Sequence, residues 1–182
     1  MKQDIVDIHK EIVESGKRGD SKAHQELYDL YAKAMFNICC RMMGDQAEAE
    51  DMLQEAFIEA FTNLDSFRYQ STFGAWLKRI VVNRCINQIK KRKIDMVFSD
   101  QVVDYEHEEE RIINDDQIEY DVKRVYSAIE KLPEGYRVIF NLYMLEGYDH
   151  VEIAEIMGIS ESTSKSQYMR AKRKIKELLL LN

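Results

Sequence analysis

The chain has 182 residues, of which 45% are hydrophobic and 32% charged, so it can form one mid-sized domain or two small ones with ordinary apolar cores. Seven glycines and one proline supply few turn-forming residues, which argues against a β-sandwich, a barrel or a glycine-rich nucleotide-binding fold. We therefore expect a soluble, all-α protein.

Three cysteines, two of them adjacent at Cys39 and Cys40, form neither a CxxC pair nor an even framework. The sequence therefore predicts no disulfide scaffold, no metal site and no cofactor, and it indicates a reducing compartment. The start of the chain is polar and acidic, and no apolar run approaches the roughly 18 residues that a membrane span needs. We expect a cytoplasmic protein without a membrane span.

The formal net charge of -7 is distributed unevenly along the chain. Residues 1–94 carry a net +1 and residues 122–182 a net +2, whereas residues 95–121 carry a net -10. A strongly acidic segment between two nearly neutral ones is typical of a solvated linker. This pattern predicts two small helical domains, residues 1–94 and 122–182, joined by an acidic flexible linker at residues 95–121.

Two amphipathic helices open the first domain. The first begins at the cap Asp20, and its apolar positions follow helical spacing at Leu27, Leu30, Tyr31, Ala34, Met35 and Ile38. The second begins near Asp45, and its apolar stripe is Ala49, Met52, Leu53, Ala56, Phe57, Ala60 and Phe61. Its opposite face is acidic and could bind a basic partner; it consists of Glu48, Asp51, Gln54, Glu55 and Glu59.

A segment without helical period, residues 65–73, follows and mixes aromatic with hydrogen-bonding side chains. Rings stack on unpaired bases, amides read base edges and neighbouring cations track the backbone, so this segment suits single-stranded nucleic acid. For Phe67 and Phe73, packing in the core is the open alternative.

The next helix, from Thr72 to about Lys93, is strongly basic at Lys78, Arg79, Arg84, Lys90, Lys91, Arg92 and Lys93. Its predicted buried side is Trp76, Leu77, Ile80, Val81, Cys85, Ile86 and Ile89. Helical spacing also aligns a polar ridge that a nucleic-acid strand could follow, formed by Arg79, Asn83, Asn87 and Lys90 or Lys91.

The second domain has the layout of a helix-turn-helix. A short helix over residues 122–132 and another ending near Gly147 precede a two-turn helix at residues 150–157, a turn at Gly158 and a final helix capped by Ser160. The predicted buried face of that final helix is Tyr168, Ala171, Ile175, Leu178 and Leu179. Its outward face fits a recognition helix in a major groove and carries Ser162, Thr163, Lys165, Ser166, Met169, Arg170 and Arg173.

From about Ser21 to Leu181 the order of these features resembles a bacterial RNA polymerase sigma factor of the extracytoplasmic-function (ECF) group. The resemblance rests on residues 49–57 and 80–83, on Phe67, Phe73 and Trp76-Leu77, and on Leu132-Pro133 with residues 152–158 and 160–173. It implies an all-α fold with a region 2 helical bundle, a region 4 helix-turn-helix and no enzymatic activity. The implied partners are core RNA polymerase, through its β′ clamp helices and β flap, promoter DNA and an anti-sigma factor.

The resemblance also implies roles for individual residues. The surface for the polymerase core would be Glu48, Asp51, Gln54, Glu55 and Phe57. The minus-ten element, taken as melted single strand, would meet Phe67, Arg68, Tyr69, Gln70, Ser71, Trp76, Lys78, Arg79, Asn83 and Arg84. The minus-thirty-five element, taken as duplex, would meet Ser162, Thr163, Lys165, Ser166, Gln167, Met169, Arg170 and Arg173.

Three positions depart from the family pattern. Ser164 stands where valine is usual, which predicts looser packing of the recognition helix. Asn87 replaces a frequent aspartate, and His150 replaces a common aromatic residue, where we expect packing or capping.

Two other functions compete with this interpretation. A stand-alone helix-turn-helix regulator explains the second domain but leaves the acidic helix, the aromatic loop and the basic helix without a role. A helical di-metal enzyme could use Glu48, Asp51, Glu55 and Glu59, but such sites need Glu-x-x-His pairs. None of the 4 histidines has a glutamate three residues before it.

Overall fold

The computed structural model describes residues 8–91 and 115–180, and side chains over 8–91 and 122–180. The chain divides into two compact units between Ile94 and Asp95. Every regular element in the described ranges is helical, as the composition predicts.

The described part of the first unit contains α1 (Lys10–Lys17), α2 (Ser21–Met43), α3 (Gln46–Thr62) and α4 (Phe73–Lys91), with a 3₁₀ turn at Leu64–Ser66 before α4. The predicted caps are confirmed. The Asp20 carboxylate accepts the Lys22 N–H at 2.9 Å, and the Asp45 carboxylate accepts the Glu48 N–H at 3.0 Å.

The core of this unit lies between α2, α3 and α4. Six of the seven residues predicted as the stripe of α3 are buried, with Phe61 half-buried. The helix predicted from the spacing in α2 is confirmed; Leu27, Met35 and Ile38 are buried, whereas Leu30, 48% exposed, and Ala34 lie on its exposed side. On α4, Trp76 is half-buried and lies against the rings of Phe67 and Phe73.

Helix α1 has no counterpart among the predicted elements. Val13 is fully buried and anchors α1 in the first unit. Gly16 permits close approach, because a Cβ there would lie 2.9 Å from Leu64 Cδ2 and 3.2 Å from the ring of His24. The His24 ring, in turn, hydrogen-bonds the Gly16 carbonyl at 3.0 Å.

The second unit contains α5 (Asp115–Glu130), α6 (Glu134–Met144), α7 (His150–Met157) and α8 (Glu161–Leu180). Helix α5 corrects the predicted end of the linker, since residues 115–121 are helical. The rest of the predicted linker, residues 95–114, lies outside the described residues.

The helix-turn-helix is confirmed. Asp149 and Glu152 form a reciprocal capping box at the start of α7, and Gly158 ends that helix at φ 71°, in the left-handed region that glycine adopts without steric cost. The buried side of α8, with Ala171 and Ile175, packs in a core that also contains Ala128, Ile129, Leu132 and Phe140. Over the described ranges, no helix combines the length and apolarity that crossing a bilayer requires.

The buried ring of Phe73 provides a stability test of the first unit. Phe73→Ala should lower the free energy of unfolding by about 3–5 kcal/mol, because it removes a fully buried ring from the aromatic cluster. Urea unfolding followed by fluorescence of Trp76, the single tryptophan, measures the loss. Ile58→Ala, at a side chain 66% exposed, is the control and should change stability by less than about 0.5 kcal/mol. Equal losses in both variants would contradict the assigned core.

Candidate nucleic-acid and partner interfaces

The exposed face of α3 is acidic, as predicted. Asp51, Gln54 and Glu55 are exposed, and Glu48 and Glu59 are half-buried beside them. Phe57, which the resemblance grouped with this surface, is only 3% exposed and packs 4.7 Å from the ring of Tyr28. Its side chain supports the helix from within, so a partner cannot contact it on this face.

Arg84 is engaged by the acidic helix. Its guanidinium hydrogen-bonds the Glu59 carboxylate and reaches Glu55 at 3.4 Å. An open groove of about 550 Å³ surrounds this contact, lined by Glu55, Ile58, Glu59, Thr62, Asn63, Arg84 and Lys91. The side chain links α4 to α3, and the role of Arg84 in holding DNA phosphates stays a prediction. Glu55 and Glu59, two of the four carboxylates considered for a di-metal site, are thus paired with Arg84.

The aromatic loop, residues 67–73, is anchored at both ends by buried phenylalanines. Phe67 is 2% exposed and Phe73 fully buried, with ring centroids 5.9 Å apart, and Trp76 lies 5.3 Å from Phe67. Core packing is thus the role of Phe67 and Phe73, and Phe67 is not a stacking platform. Between them, Arg68 and Gln70 are exposed, and Tyr69 and Ser71 are half-buried.

The polar ridge of α4 is confirmed as a surface. Arg79, Asn83, Asn87 and Lys90 are all exposed, along about 16 Å of helix at 1.5 Å per residue. Lys78 is half-buried, and Trp76 shares the ridge side of the helix near the loop. The loop and the ridge together therefore carry exposed amides and cations beside a partly exposed indole.

The outward face of α8 is polar and cationic. Ser162, Lys165, Met169 and Arg173 are exposed, and Ser166 and Arg170 are half-buried. Lys165 pairs with Glu161 at 2.6 Å and Arg173 with Glu177 at 3.7 Å. Such exposed pairs are weak, so the cations can exchange a carboxylate for a phosphate.

Two residues assigned to this DNA-contacting face lie beneath it. Gln167 is 2% exposed and Thr163 is 8% exposed. Thr163 belongs to the helix cap, where the Ser160 hydroxyl lies 2.7 Å from the Thr163 hydroxyl and accepts the Thr163 N–H at 3.1 Å. These two residues support the recognition helix and do not present their side chains to DNA.

The two main departures from the family pattern contact each other. Ser164 is fully buried, and its hydroxyl shares a hydrogen bond of 2.9 Å with Nδ1 of His150. The imidazole stacks on Tyr143, with centroids 4.4 Å apart. Burial, and then the nearby positive charge of Lys165, lower the pKa of His150, so the ring is neutral at neutral pH. The looser packing predicted for Ser164 is thus offset by a specific hydrogen bond.

In the first unit, helix α1 lies against the aromatic loop, and the sequence patterns did not predict it. It contacts the aromatic loop through Glu14 and Lys17, which lie one turn apart. The sequence did contain signals for this helix: the apolar pair Ile12-Val13, with Glu11 in the first turn and Lys17 in the last turn. Within the described residues, no group of three His, Cys, Asp or Glu side chains is placed to hold a metal ion.

Two family models match the chain. The model for sigma-70 region 2 matches residues 27–94, and the model for sigma-70 region 4 matches residues 123–175. Because the region 2 match occupies most of the first unit, that unit is not an unrelated effector domain. The stand-alone regulator is therefore excluded in favour of a two-region sigma factor.

Curated relatives match this chain over nearly its whole length, and the two described next are ECF sigma factors. The chain is 32% identical over 179 residues to the ECF RNA polymerase sigma factor SigW of Bacillus subtilis, covering 93% of this chain and 96% of SigW. It is also 32% identical over 173 residues to the ECF RNA polymerase sigma-E factor of Escherichia coli K12, covering 90% of each.

Solved structures share the fold. CnrH, in complex with the cytosolic domain of CnrY, aligns with a TM-score of 0.56 at 22% identity over 97% of this chain and 99% of CnrH. The sigma factor RpoE of Bartonella quintana, in complex with the anti-sigma factor NepR, aligns with a TM-score of 0.55 at 24% identity over 87% of this chain and 97% of that chain.

The two units thus correspond to the two conserved regions of one family of transcription initiation factors, and the relatives share their order and length. The chain belongs to the sigma-70 family and is an ECF sigma factor, which binds core RNA polymerase and directs promoter-specific initiation of transcription.

Proposed function

We propose that the two units divide the work of initiation among three surfaces. The exposed acidic face of α3 binds the β′ clamp helices of the polymerase core, and the second unit binds the β flap. The observation that carries this proposal is the separation of charge between surfaces: the exposed face of α3 carries acidic side chains, whereas the ridge of α4 and the outward face of α8 carry exposed cations. One molecule can therefore hold a basic protein surface and polyanionic DNA at once.

The loop at 67–72 and the ridge of α4 take the minus-ten element as single strand. Arg68, Gln70 and Asn83 are exposed there and supply a cation and two amides for phosphates and base edges. Tyr69 and Trp76 are half-buried, so both rings are partly accessible from the surface. Base stacking on aromatic rings is worth about 1–3 kcal/mol per base, which offsets part of the cost of opening the duplex.

The outward face of α8 takes the minus-thirty-five element as duplex. Ser162, Lys165 and Ser166 lie near the start of the helix, where recognition helices reach base edges, and Arg170 and Arg173 lie further along it. Engagement of two promoter elements by tethered domains raises the effective concentration of each, so weak single contacts combine into selective binding.

We further propose regulation by an anti-sigma factor in the cytoplasm. The supporting observation is that a structural relative, RpoE of Bartonella quintana, was solved with its anti-sigma factor NepR. The protein itself makes and breaks no covalent bond in this proposal, and the polymerase core supplies the catalysis.

Charge reversal on α3 tests the polymerase surface. Asp51→Lys with Glu55→Lys should weaken binding to purified bacterial core polymerase about 100-fold. The new lysines would face the basic surface of the polymerase, and repulsion between like charges costs a few kcal/mol. Titration of labelled chain with core measures the affinity. Glu26→Lys with Asp29→Lys makes the same charge change on exposed positions of α2 and should retain affinity within about threefold. Equal weakening by both pairs would refute a specific role for α3.

Asn83 tests promoter opening. Asn83→Ala should reduce open-complex formation about tenfold on a promoter selected from genomic DNA by the wild-type holoenzyme, since a base-edge contact is worth about 1–3 kcal/mol. Permanganate reactivity of melted thymines is the measurement. Asn37→Ala, at an exposed asparagine on α2, should have no effect. A parallel loss of core binding in Asn83→Ala would show that the site is assigned incorrectly.

Arg173 tests duplex binding. Arg173→Ala should weaken binding to the upstream duplex of that promoter and reduce the slope of log affinity against log salt by about 1, the effect of one lost phosphate contact. Lys174→Ala removes a cation one residue away, toward the flank of α8, and should leave the slope unchanged. If both variants change the slope alike, the outward face is not the DNA-binding face.

A further inference from the structure

Two residues of α1, Glu14 and Lys17, contact the aromatic loop, although they lie 55 and 50 positions before their partners in the sequence. Lys17 Nζ donates a hydrogen bond of 3.0 Å to the backbone carbonyl of Phe67. The Tyr69 hydroxyl donates one of 2.6 Å to Glu14 Oε1, and Lys17 Nζ donates to the same carboxylate oxygen at 3.0 Å. The three contacts form one network, which we call the α1 brace.

The residue that the brace holds has an unusual backbone. Tyr69 has φ 55°, and within the described residues it is the single non-glycine residue with positive φ. A bulky residue adopts this left-handed conformation only where its surroundings enforce it. The ring of Tyr69 lies 4.7 Å from that of Phe67, with Lys17 Nζ 4.6 Å and Lys10 Nζ 5.4 Å from its centroid.

The brace is maintained at neutral pH. Hydrogen bonds from Tyr69, and then from Lys17, lower the pKa of Glu14 below its ordinary value of 4.5. Its carboxylate is therefore ionised and accepts both bonds throughout the physiological range. Lys17 is largely covered, with 17% of its side chain exposed, so its Nζ has few alternatives to these acceptors.

The conformation of Tyr69 sets the direction of its neighbours. Arg68 and Gln70, the exposed side chains of the loop, are attached on either side of this single left-handed residue. A return of Tyr69 to an ordinary conformation would redirect both. The region 2 match begins at residue 27, so α1 lies outside the segment to which the family model applies.

We propose that Glu14 and Lys17 are positioning residues that hold Tyr69 in its left-handed conformation and thereby determine which base the 67–72 loop accepts. The inference rests on the proposed role of this loop in capturing an unpaired base. Neither residue needs to touch DNA, because both act through Tyr69 and the Phe67 carbonyl.

The test uses holoenzyme reconstituted from core polymerase and the full chain. The probe is a pool of fork-junction DNA whose single-stranded minus-ten positions are randomised, and sequencing of the bound fraction yields base preferences. Glu14→Leu and Tyr69→Phe should each flatten the preference at the most selective position at least fivefold, and the double variant should fall no further, since both remove one hydrogen bond. Lys17→Met should act in the same direction. Glu14→Gln should retain most of the preference, because its amide oxygen still accepts from Tyr69.

Controls separate positioning from stability. Glu11→Leu removes another exposed carboxylate from α1 and should leave the preference unchanged. Core affinity and the melting temperature of Tyr69→Phe should match the wild type, while hydrogen exchange of the loop amides should accelerate. Unchanged preferences in Glu14→Leu and Tyr69→Phe, beside a selective wild type, would overturn the brace alone. A wild type without any base preference would overturn the base-capture role of the loop and the inference with it.

Discussion

The burial of Phe67 and Phe73 in one aromatic cluster is the constraint on which the proposed DNA-binding surface of the first unit depends. Both rings lie in the interior, with Trp76 against them, so the five residues between them must pass over the surface as a short loop. The same burial fixes the start of α4 and hence the direction of its ridge. Rings that resembled a stacking platform instead anchor the segment that carries the exposed amide and cation.

Charge on the neighbouring helices is arranged around a single crossing contact. Arg84 lies on the basic helix but faces the acidic one, where Glu59 and Glu55 accept its hydrogen bonds. This contact joins α3 to α4 and leaves the carboxylate of Asp51 on α3 and the guanidinium of Arg79 on α4 exposed. Opposite potentials therefore persist on two surfaces of one small bundle, as a protein that holds polymerase and DNA together requires.

In the helix-turn-helix, two substitutions that look unfavourable one by one are favourable together. A buried serine hydroxyl without a partner would cost free energy, and so would an unpaired nitrogen on the half-buried imidazole of His150. The hydrogen bond between Ser164 and His150, with Tyr143 stacked on the imidazole, satisfies both groups. Helix α8 is thus held against α7 by a polar contact in the interior of the unit.

Periodicity and caps in the sequence predicted α2, α3, α4 and the helix-turn-helix, because these features depend on neighbours within a few residues along the chain. The order of the motifs along the chain was enough for the resemblance to the sigma-factor family. Only the tertiary structure decided which candidate side chains are exposed: it buried Phe57, Phe67 and Gln167 and turned Arg84 toward α3. It also brought Glu14 to Tyr69 across 55 positions. Contacts of that separation depend on how helices pack, and the pattern along one helix carries no information about the surface that another helix presents to it.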